Sequence, residues 1–558
     1  MKLPNRLVTP SPTRITRPPM PTPLSSSRIA LIIAAAYFML LLDGAILNTS
    51  LPLMAANLGV TPLALTSGVT VYLLCSAAII PASGWIGDRF EARRVFMLAM
   101  AGFTAASMAC GLAQSLNQLV VARAAQGLAA GLMSPLGRTI VMRHAPKSEV
   151  MRAIALITWP ALLAPVLGPP LGGFISTYAS WRWNFFINLP IGLLGLLAVA
   201  RWVPRIDAPR PGKLDAWGCL LSATTLVLLL AGLEHAALGV PQRGGDAAAA
   251  LAVPGASMTA AAAADHAAAQ AAAQATDPAA DPAAASATAA ASATAAAPAT
   301  AAAVSQRLAL GAWAEAAALL AGGLVVGVLA VRHLRRTPHP VVSLTPLSVR
   351  TFSVATLAGG TSFMLALQAT PFLLPVMFQL AFGMSAVQAG LFTLAYFLGN
   401  LTIKPATTPL LRRFGFRRVM QVGGVLAALA IAGCALLQAQ TPVAPMALLL
   451  WVAGATRSMQ MTALNTLAFA DISPAQRSAA ATLSTVSAQL ASALGVALGT
   501  LMLALSQRAH GRTALAAPDF AVAFVGMACV AGLSTLAFSR LRPDDGAEVS
   551  GHRAAATG

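Results

Sequence analysis

An aspartate, Asp43, and an arginine, Arg123, each stand inside a long apolar run of this 558-residue chain. Ionisable side chains in hydrocarbon are costly and are kept where they face a cavity or a partner. With the N-terminus on the inner side, Asp43 falls about fifteen residues, roughly 22 Å, above the start of its run. Arg123 falls about five residues below the outer end of its own run, roughly 8 Å into a core about 30 Å thick. The two depths coincide. A carboxylate and a guanidinium at one level either form a static ion pair or exchange that pairing for a proton. Three further basic residues lie in apolar runs. Lys404 and Arg138 stand near inner ends, where long stems reach the interface, whereas Arg457 is deeper. Arg457, Asn48 and Asn465 are candidates to line a cavity. Glu234 and Glu315 lie near outer ends.

Catalysis would need His, Cys or carboxylates clustered at a defined spacing. The seven His residues lie in loops, tails or near the ends of apolar runs. Cys75, Cys110, Cys219, Cys434 and Cys529 lie in or beside apolar segments, without the spacing of metal ligands. No GxxxxGK[ST] run is present to cradle ATP. These features argue against an enzyme, a metal site and a bound cofactor, and leave an ion gradient as the energy source.

The elements that must position these residues are membrane helices. Charged residues make up 9% of the chain and hydrophobic ones 57%, and mean hydropathy is +0.73. A soluble domain carries about 25% charged residues. About fourteen apolar runs approach the ~20 residues that cross a bilayer. Their expected spans are 29–50, 64–84, 95–114, 118–143, 153–175, 184–203, 215–235, 310–331, 352–380, 387–409, 417–437, 443–470, 477–505 and 519–540. The fold class is an all-α polytopic membrane protein.

The net charge of +19 would suit a nucleic-acid binder if it were gathered on one soluble face. Instead the Lys and Arg residues cluster between apolar runs and alternate by loop. Roughly 27 fall on one side against roughly 5 on the other, which places both termini in the cytoplasm. Residues 1–28 read as a disordered tail without the apolar segment of a cleavable signal, and 541–558 as a second cytoplasmic tail. Residues 240–306 are Ala-rich and interrupted by Pro278, Pro282 and Pro298. They bury too little to offset ordering entropy and read as a disordered outer loop.

An internal repeat sets the architecture. Asp88-Arg89-Phe90-Glu91-Ala92-Arg93-Arg94-Val95 aligns with Arg412-Arg413-Phe414-Gly415-Phe416-Arg417-Arg418-Val419. The two loops follow runs two and ten. Loops eight helices apart imply two six-helix halves, 29–203 and 352–540, with two linking helices, 215–235 and 310–331, between them.

Several segments then carry a family resemblance. Leu42-Asp43-Gly44-Ala45-Ile46-Leu47-Asn48-Thr49-Ser50-Leu51-Pro52 resembles the first-helix signature of the fourteen-span drug:proton antiporter family (EmrB/QacA type) of the major facilitator superfamily. Gly84-Trp85-Ile86-Gly87-Asp88-Arg89, followed by Arg93-Arg94, resembles the superfamily's loop motif, a cytoplasmic gate. Arg123-Ala124-Ala125-Gln126-Gly127 resembles its fourth-helix motif. Leu167-Gly168-Pro169-Pro170-Leu171-Gly172-Gly173 resembles the antiporter motif of the fifth helix, and Trp181-Arg182-Trp183-Asn184-Phe185-Phe186-Ile187-Asn188-Leu189-Pro190 the turn after it. In the second half, Met461-Thr462-Ala463-Leu464-Asn465-Thr466-Leu467 and Asp471 are similar to the MdtD-type branch of multidrug exporters. The resemblance implies a major facilitator fold, with a substrate site between the halves near the midplane.

Each motif also has a physical reading. Gly84 and Gly87 would serve tight turns after the second helix. Asp88 would accept hydrogen bonds from a helix N-terminus or a basic residue and latch the cytoplasmic side. Glu91 stands where the second repeat has Gly415, and a left-handed turn there would strain a glutamate. Gly168-Pro169-Pro170 would bend the fifth helix, while Gly172 and Gly173 would let helices approach closely.

The expected function is proton-coupled efflux of small molecules across a bacterial inner membrane, with Asp43 and Arg123 as the coupling pair. The alternative is export of a specific anionic metabolite such as an organic acid, because Asp43 is the only deep acid while Arg123 and Arg457 stand in the facing halves. A membrane-embedded lipid-modifying enzyme is the remote alternative. The expected partners are small-molecule substrate, protons and lipid, not nucleic acid. The sequence is silent on a periplasmic adaptor.

Overall fold

The computed structural model describes residues 26–144, 150–205, 214–238, 311–338, 340–473, 476–512 and 514–550. The tail at 1–25, the Ala-rich segment at 239–310 and residues 551–558 lie outside them, and so do the expectations placed there.

The first six passes are α1 (Ser26–Leu58), α2 (Pro62–Phe90), α3 (Ala92–Leu112), α4 (Leu116–His144), α5 (Val150–Tyr178) and α6 (Asn188–Trp202), the last preceded by a single turn, Trp183–Phe186. The linking pair is α7 (Ala216–Leu238) and α8 (Gly311–Arg336). The second half opens with a turn, Arg350–Ser353, and a π-helical turn, Val354–Ala358. It continues through α9 (Gly360–Leu380), α10 (Ala386–Thr402), α11 (Lys404–Cys434), α12 (Val443–Ala470), α13 (Arg477–Ala509) and α14 (Ala517–Ala537). Eleven of the described helices are long and apolar enough to cross a bilayer.

Within the first half α1 packs on α5 and α4 packs on α2 and α3. The second half repeats the scheme with α9 on α13, and α12 on α10 and α11. Helix 2 of each half meets helix 5 of the other, as α2–α13 and α5–α10. The repeat persists in the backbone. Glu91 has φ 69°, and its aligned partner Gly415, inside α11, has φ 73°. Among the described residues Glu91 is the one non-glycine with positive φ. The strained turn expected there is therefore present.

The expected turns at Gly84 and Gly87 are not. Both lie inside α2, which runs on to Phe90. A β-carbon at Gly87 would collide with Leu136 of α4, so that glycine serves helix contact, while Gly84 faces open space. The span expected at 352–380 is also broken by its π turn, and Gly359 there lies against Ala537 at the end of α14 and Phe538 just beyond it. Residues 541–550 fold back rather than trail away. Gly546 packs on Phe416 and Leu467, and Arg350 pairs with Asp545.

The apolar interior is divided unequally between the two ends of the molecule. One core joins both halves through Leu47, Leu51, Leu63 and Val69 of the first and Phe372, Phe378 and Leu450 of the second. A second core, around Ile33, Phe96, Met133 and Val199, belongs to the first half alone and lies toward the end that carries the termini. At the opposite end the halves also touch through backbone. Gln379 donates to the Thr49 carbonyl at 2.8 Å. A β-carbon at Gly173 would strike the Ala386 carbonyl, and one at Gly390 would approach the Pro169 carbonyl. The halves are sealed together at the end away from the termini.

Candidate functional site

Helix contacts carry Arg123 to Asp43. Gly127 and Gly131 let α4 approach α2 so closely that β-carbons there would collide with the Tyr72 and Ser76 carbonyls. Gly168 and Gly172 do the same for α5 against Ala45 and Ile46 of α1. Small residues at such seams let backbones approach where packing and hydrogen bonds drive helix association. The consequence is an ion pair, Arg123 Nη1 to Asp43 Oδ2 at 2.8 Å, with side-chain exposures of only 2% and 1%.

The pair is the centre of a larger network. Gln126 Nε2 donates to Asp43 Oδ1 at 2.9 Å, and Asn188 Nδ2 donates to the same oxygen at 2.7 Å. Arg123 Nη1 also donates to Gln126 Oε1 at 2.7 Å, and its Nε reaches the Gly68 carbonyl at 3.4 Å. The guanidinium lies over the Tyr72 ring, 4.1 Å from its centroid, a cation–π arrangement strengthened by desolvation. Asn188 donates in turn to Ser107, whose hydroxyl donates to the Phe185 carbonyl. That chain fixes which way the Asn188 amide points. Its carbonyl oxygen is buried without a hydrogen-bond partner.

One carboxylate thus accepts from three side chains on two helices, α4 and α6. Charge-assisted hydrogen bonds of this kind hold the helices in one arrangement. Protonation would cancel the charge and replace an acceptor by a donor. Gln126 and Asn188 were not among the expected coupling residues. Gln126 follows Arg123 by three positions and so shares its helix face. Asn188 is the polar residue at the start of the apolar run of α6. Tyr72 and Ser107 give no such signal in the sequence.

The other expected residues fall at separate places. Asp88 pairs with Arg143 at the end of α4, 2.5 Å away, so its bond here lies within the first half. Arg93 donates to the Ala200 carbonyl at 2.6 Å near the end of α6, Arg94 pairs with Glu91 at 2.8 Å, and Arg89 is exposed beside Phe90. In the antiporter motif Gly168 and Gly172 face α1, whereas Gly173 and Pro169 face α10 of the other half. Asn48 is half-buried in α1, and Asn465 is exposed in a cleft of the second half. Arg457 is half-buried and donates to Gln368 at 2.6 Å. Lys404 does not reach freely into solvent. It is half-buried and donates to Thr462 at 2.9 Å. Arg138 is exposed.

Among the described residues no group of His, Cys, Asp or Glu is arranged to hold a metal.

Comparison with known proteins agrees with this architecture. A family model described as Major Facilitator Superfamily matches residues 33–238 and 352–557. The chain is 32% identical over 524 residues to the candidate multidrug resistance protein MdtD of Cronobacter sakazakii, covering 92% of this chain and 94% of that one. It is 29% identical over 516 residues to the MdtD of Pectobacterium atrosepticum, covering 92% and 95%. In fold it is similar to the crystal structure of the POT family transporter PepTSo, with a TM-score of 0.59 at 14% identity over 95% of this chain and 99% of that one. A D-xylose–proton symporter gives a TM-score of 0.58 at 14% identity, covering 93% and 98%.

Proposed function

This chain belongs to the Major Facilitator Superfamily and is a multi-pass membrane transporter, not an enzyme, and from that premise we propose that it is a proton-driven exporter of small molecules. The observation that carries the proposal is the buried network centred on Asp43. A proton arriving at Asp43 converts the carboxylate to an acid and removes the partner of Arg123. It also leaves Gln126 and Asn188 donating to a neutral group. The unpartnered Asn188 carbonyl can then accept the new O–H once its amide turns and gives up its bond to Ser107. Because these donors sit on α4 and α6 while Asp43 sits on α1, the change alters the relative preference of two helix arrangements. A ligand shifts such an equilibrium only by its differential affinity for the two states.

The outward direction of transport is supported by the resemblance of the α5 segment to the antiporter motif and by the names of the MdtD relatives. Placement of both termini in the cytoplasm of a bacterial cell is supported by the Lys and Arg distribution. In that orientation the seal lies on the outer side, and the described arrangement is the inward-facing one.

The test is Asp43→Asn in proteoliposomes. Asparagine keeps an acceptor for Arg123 but not its charge partner, so the variant should insert and fold with a lower melting temperature than the parent, and flux is read per folded protein. Substrate-driven proton flux should fall to the level of empty liposomes. Unchanged flux would remove Asp43 from the coupling role.

A further inference from the structure

A second polar cluster lies beyond Asp43 in the first half, toward the end away from the termini. Ser50 follows Asp43 on α1 by two turns, roughly 10 Å nearer that end. Its hydroxyl lies 2.8 Å from that of Ser176 on α5, and it also reaches the Ile46 carbonyl at 3.1 Å. Asn184 Nδ2 donates to both serines, at 2.6 Å to Ser50 and 2.7 Å to Ser176. The face of α5 explains the meeting. Gly168 and Gly172 lie against α1, and Ser176 continues their row at the next i+4 step. Ser50 and Asn184 are buried, whereas Ser176 is half-buried in the last turn of α5, where the row comes nearest to water.

The cluster joins the Asp43 network through α6. Ile187, with φ −58° and ψ −26°, keeps the chain helical between the turn Trp183–Phe186 and α6. Asn184 and Asn188 therefore stand one turn apart on one face. Each amide uses its nitrogen on neighbours, Asn184 on the two serines and Asn188 on Asp43 and Ser107. Both carbonyl oxygens are buried without a hydrogen-bond partner, although Asn184 is 3% exposed and Asn188 0%. A buried acceptor left unpaired is costly and calls for an explanation. A single water carries two O–H groups, and buried waters sit where they satisfy such atoms. One water donating to both oxygens would settle both. The interface between the halves gives Asp43 no other opening at this end, because Leu47 and Leu51 of α1 are packed there with Phe372 and Phe378.

We infer that Ser176, Ser50, Asn184 and Asn188 form a proton inlet inside the first half, with a water held between the two asparagine carbonyls as the last carrier before Asp43. The inference rests on the coupling role of Asp43 and adds the route by which its proton arrives. Cargo moves between the halves, so the two paths are separate. A hydroxyl both accepts and donates. Each serine takes a proton on a lone pair and releases the one it held, and the water does the same. The transfer ends with an O–H bond formed on Asp43, and with the serines and the water restored. The asparagines keep all their hydrogens and serve to position the water. A proton can then enter while the seal stays shut to anything larger.

The proton itself is the probe. In the full chain in detergent, without substrate, the infrared carbonyl band of protonated Asp43 is identified by its loss in Asp43→Asn and followed after a pH jump. Ser50→Ala/Ser176→Ala should slow protonation and deprotonation alike, on the order of 10-fold or more. The pH midpoint of the band should stay in place, because a route alters rates and not equilibria. Ser50→Thr/Ser176→Thr, which keeps both hydroxyls, should retain the parent rate. Asn184→Leu, which displaces the water, should slow transfer as the alanines do. An undiminished rate in folded Ser50→Ala/Ser176→Ala or folded Asn184→Leu overturns the inference and leaves the coupling role of Asp43 intact. So does a displaced midpoint with an unchanged rate, the mark of a merely structural part. Absence of any band that Asp43→Asn removes overturns both readings.

Discussion

Asp43 and Arg123 illustrate why a buried ion pair is better judged by its loss than by its presence. Removing one partner strands a charge and costs about 3–5 kcal/mol, whereas replacing both by neutral groups is often close to harmless. Arg123→Gln is therefore expected to lower the thermal stability of the detergent-solubilised protein markedly. The double variant Asp43→Asn/Arg123→Gln should recover most of it while remaining inactive in proton flux. A double variant no more stable than the single one would show that the pair is not energetically coupled. Glu91 presents a different local balance. Its φ of 69° is a glycine conformation, and in the Arg94 contact that accompanies it the arginine is exposed while the glutamate side chain is only 18% so. A non-glycine residue held there costs about 1–2 kcal/mol, more than an ion pair to an exposed arginine returns. Glu91→Gly should raise the melting temperature, and Glu91→Ala, which keeps the strain, should not. The opposite ranking would place the stabilising effect in the carboxylate.

At the scale of helices, glycine faces decide which elements meet. Gly173 puts α5 against the Ala386 carbonyl at the start of α10, across the boundary between halves. Any larger residue must push that backbone away. Gly173→Val should loosen the seal at the end away from the termini without disturbing either half internally. A reporter cysteine at the buried position Thr49, in a background lacking the native cysteines, should then react faster with a maleimide. Unaltered labelling would mean that the seal does not depend on this contact. Much of this arrangement was legible beforehand. Spans, the repeat and the shared depth of Asp43 and Arg123 follow from hydropathy and the helical rise, which depend on local sequence alone. Gln126 and Asn188 escape a reading of the sequence because their importance comes from where α4 and α6 bring them, three and five helices along the chain from α1. Gly84 and Gly87 were misplaced in a turn because a glycine required for helix contact looks the same in sequence as one required for positive φ. The structure separates the two uses.

At the scale of the whole molecule, the two halves are joined by α7 and α8, whose outward faces carry large apolar side chains such as Trp217 and Leu324. The Ala-rich stretch between them lies outside the described residues, but its composition and position support a prediction. Loop-closure cost grows only slowly with length, so deleting residues 247–303 should leave transport nearly unchanged. Loss of folded protein after the deletion would give that stretch a structural role. The uneven division of the apolar interior has a further consequence. Turning the cavity to the other face must part Leu47, Leu51 and Leu63 from the second half and wet them, while the core around Phe96 and Met133 travels intact. Wetting apolar surface raises heat capacity, and the attraction that resists it weakens on cooling. The two orientations should therefore differ in heat capacity, and their balance should bend with temperature even in a bilayer with no phase transition. A cold membrane would hold this transporter with the seal away from its termini slackened, and an Eyring plot of its turnover should be curved.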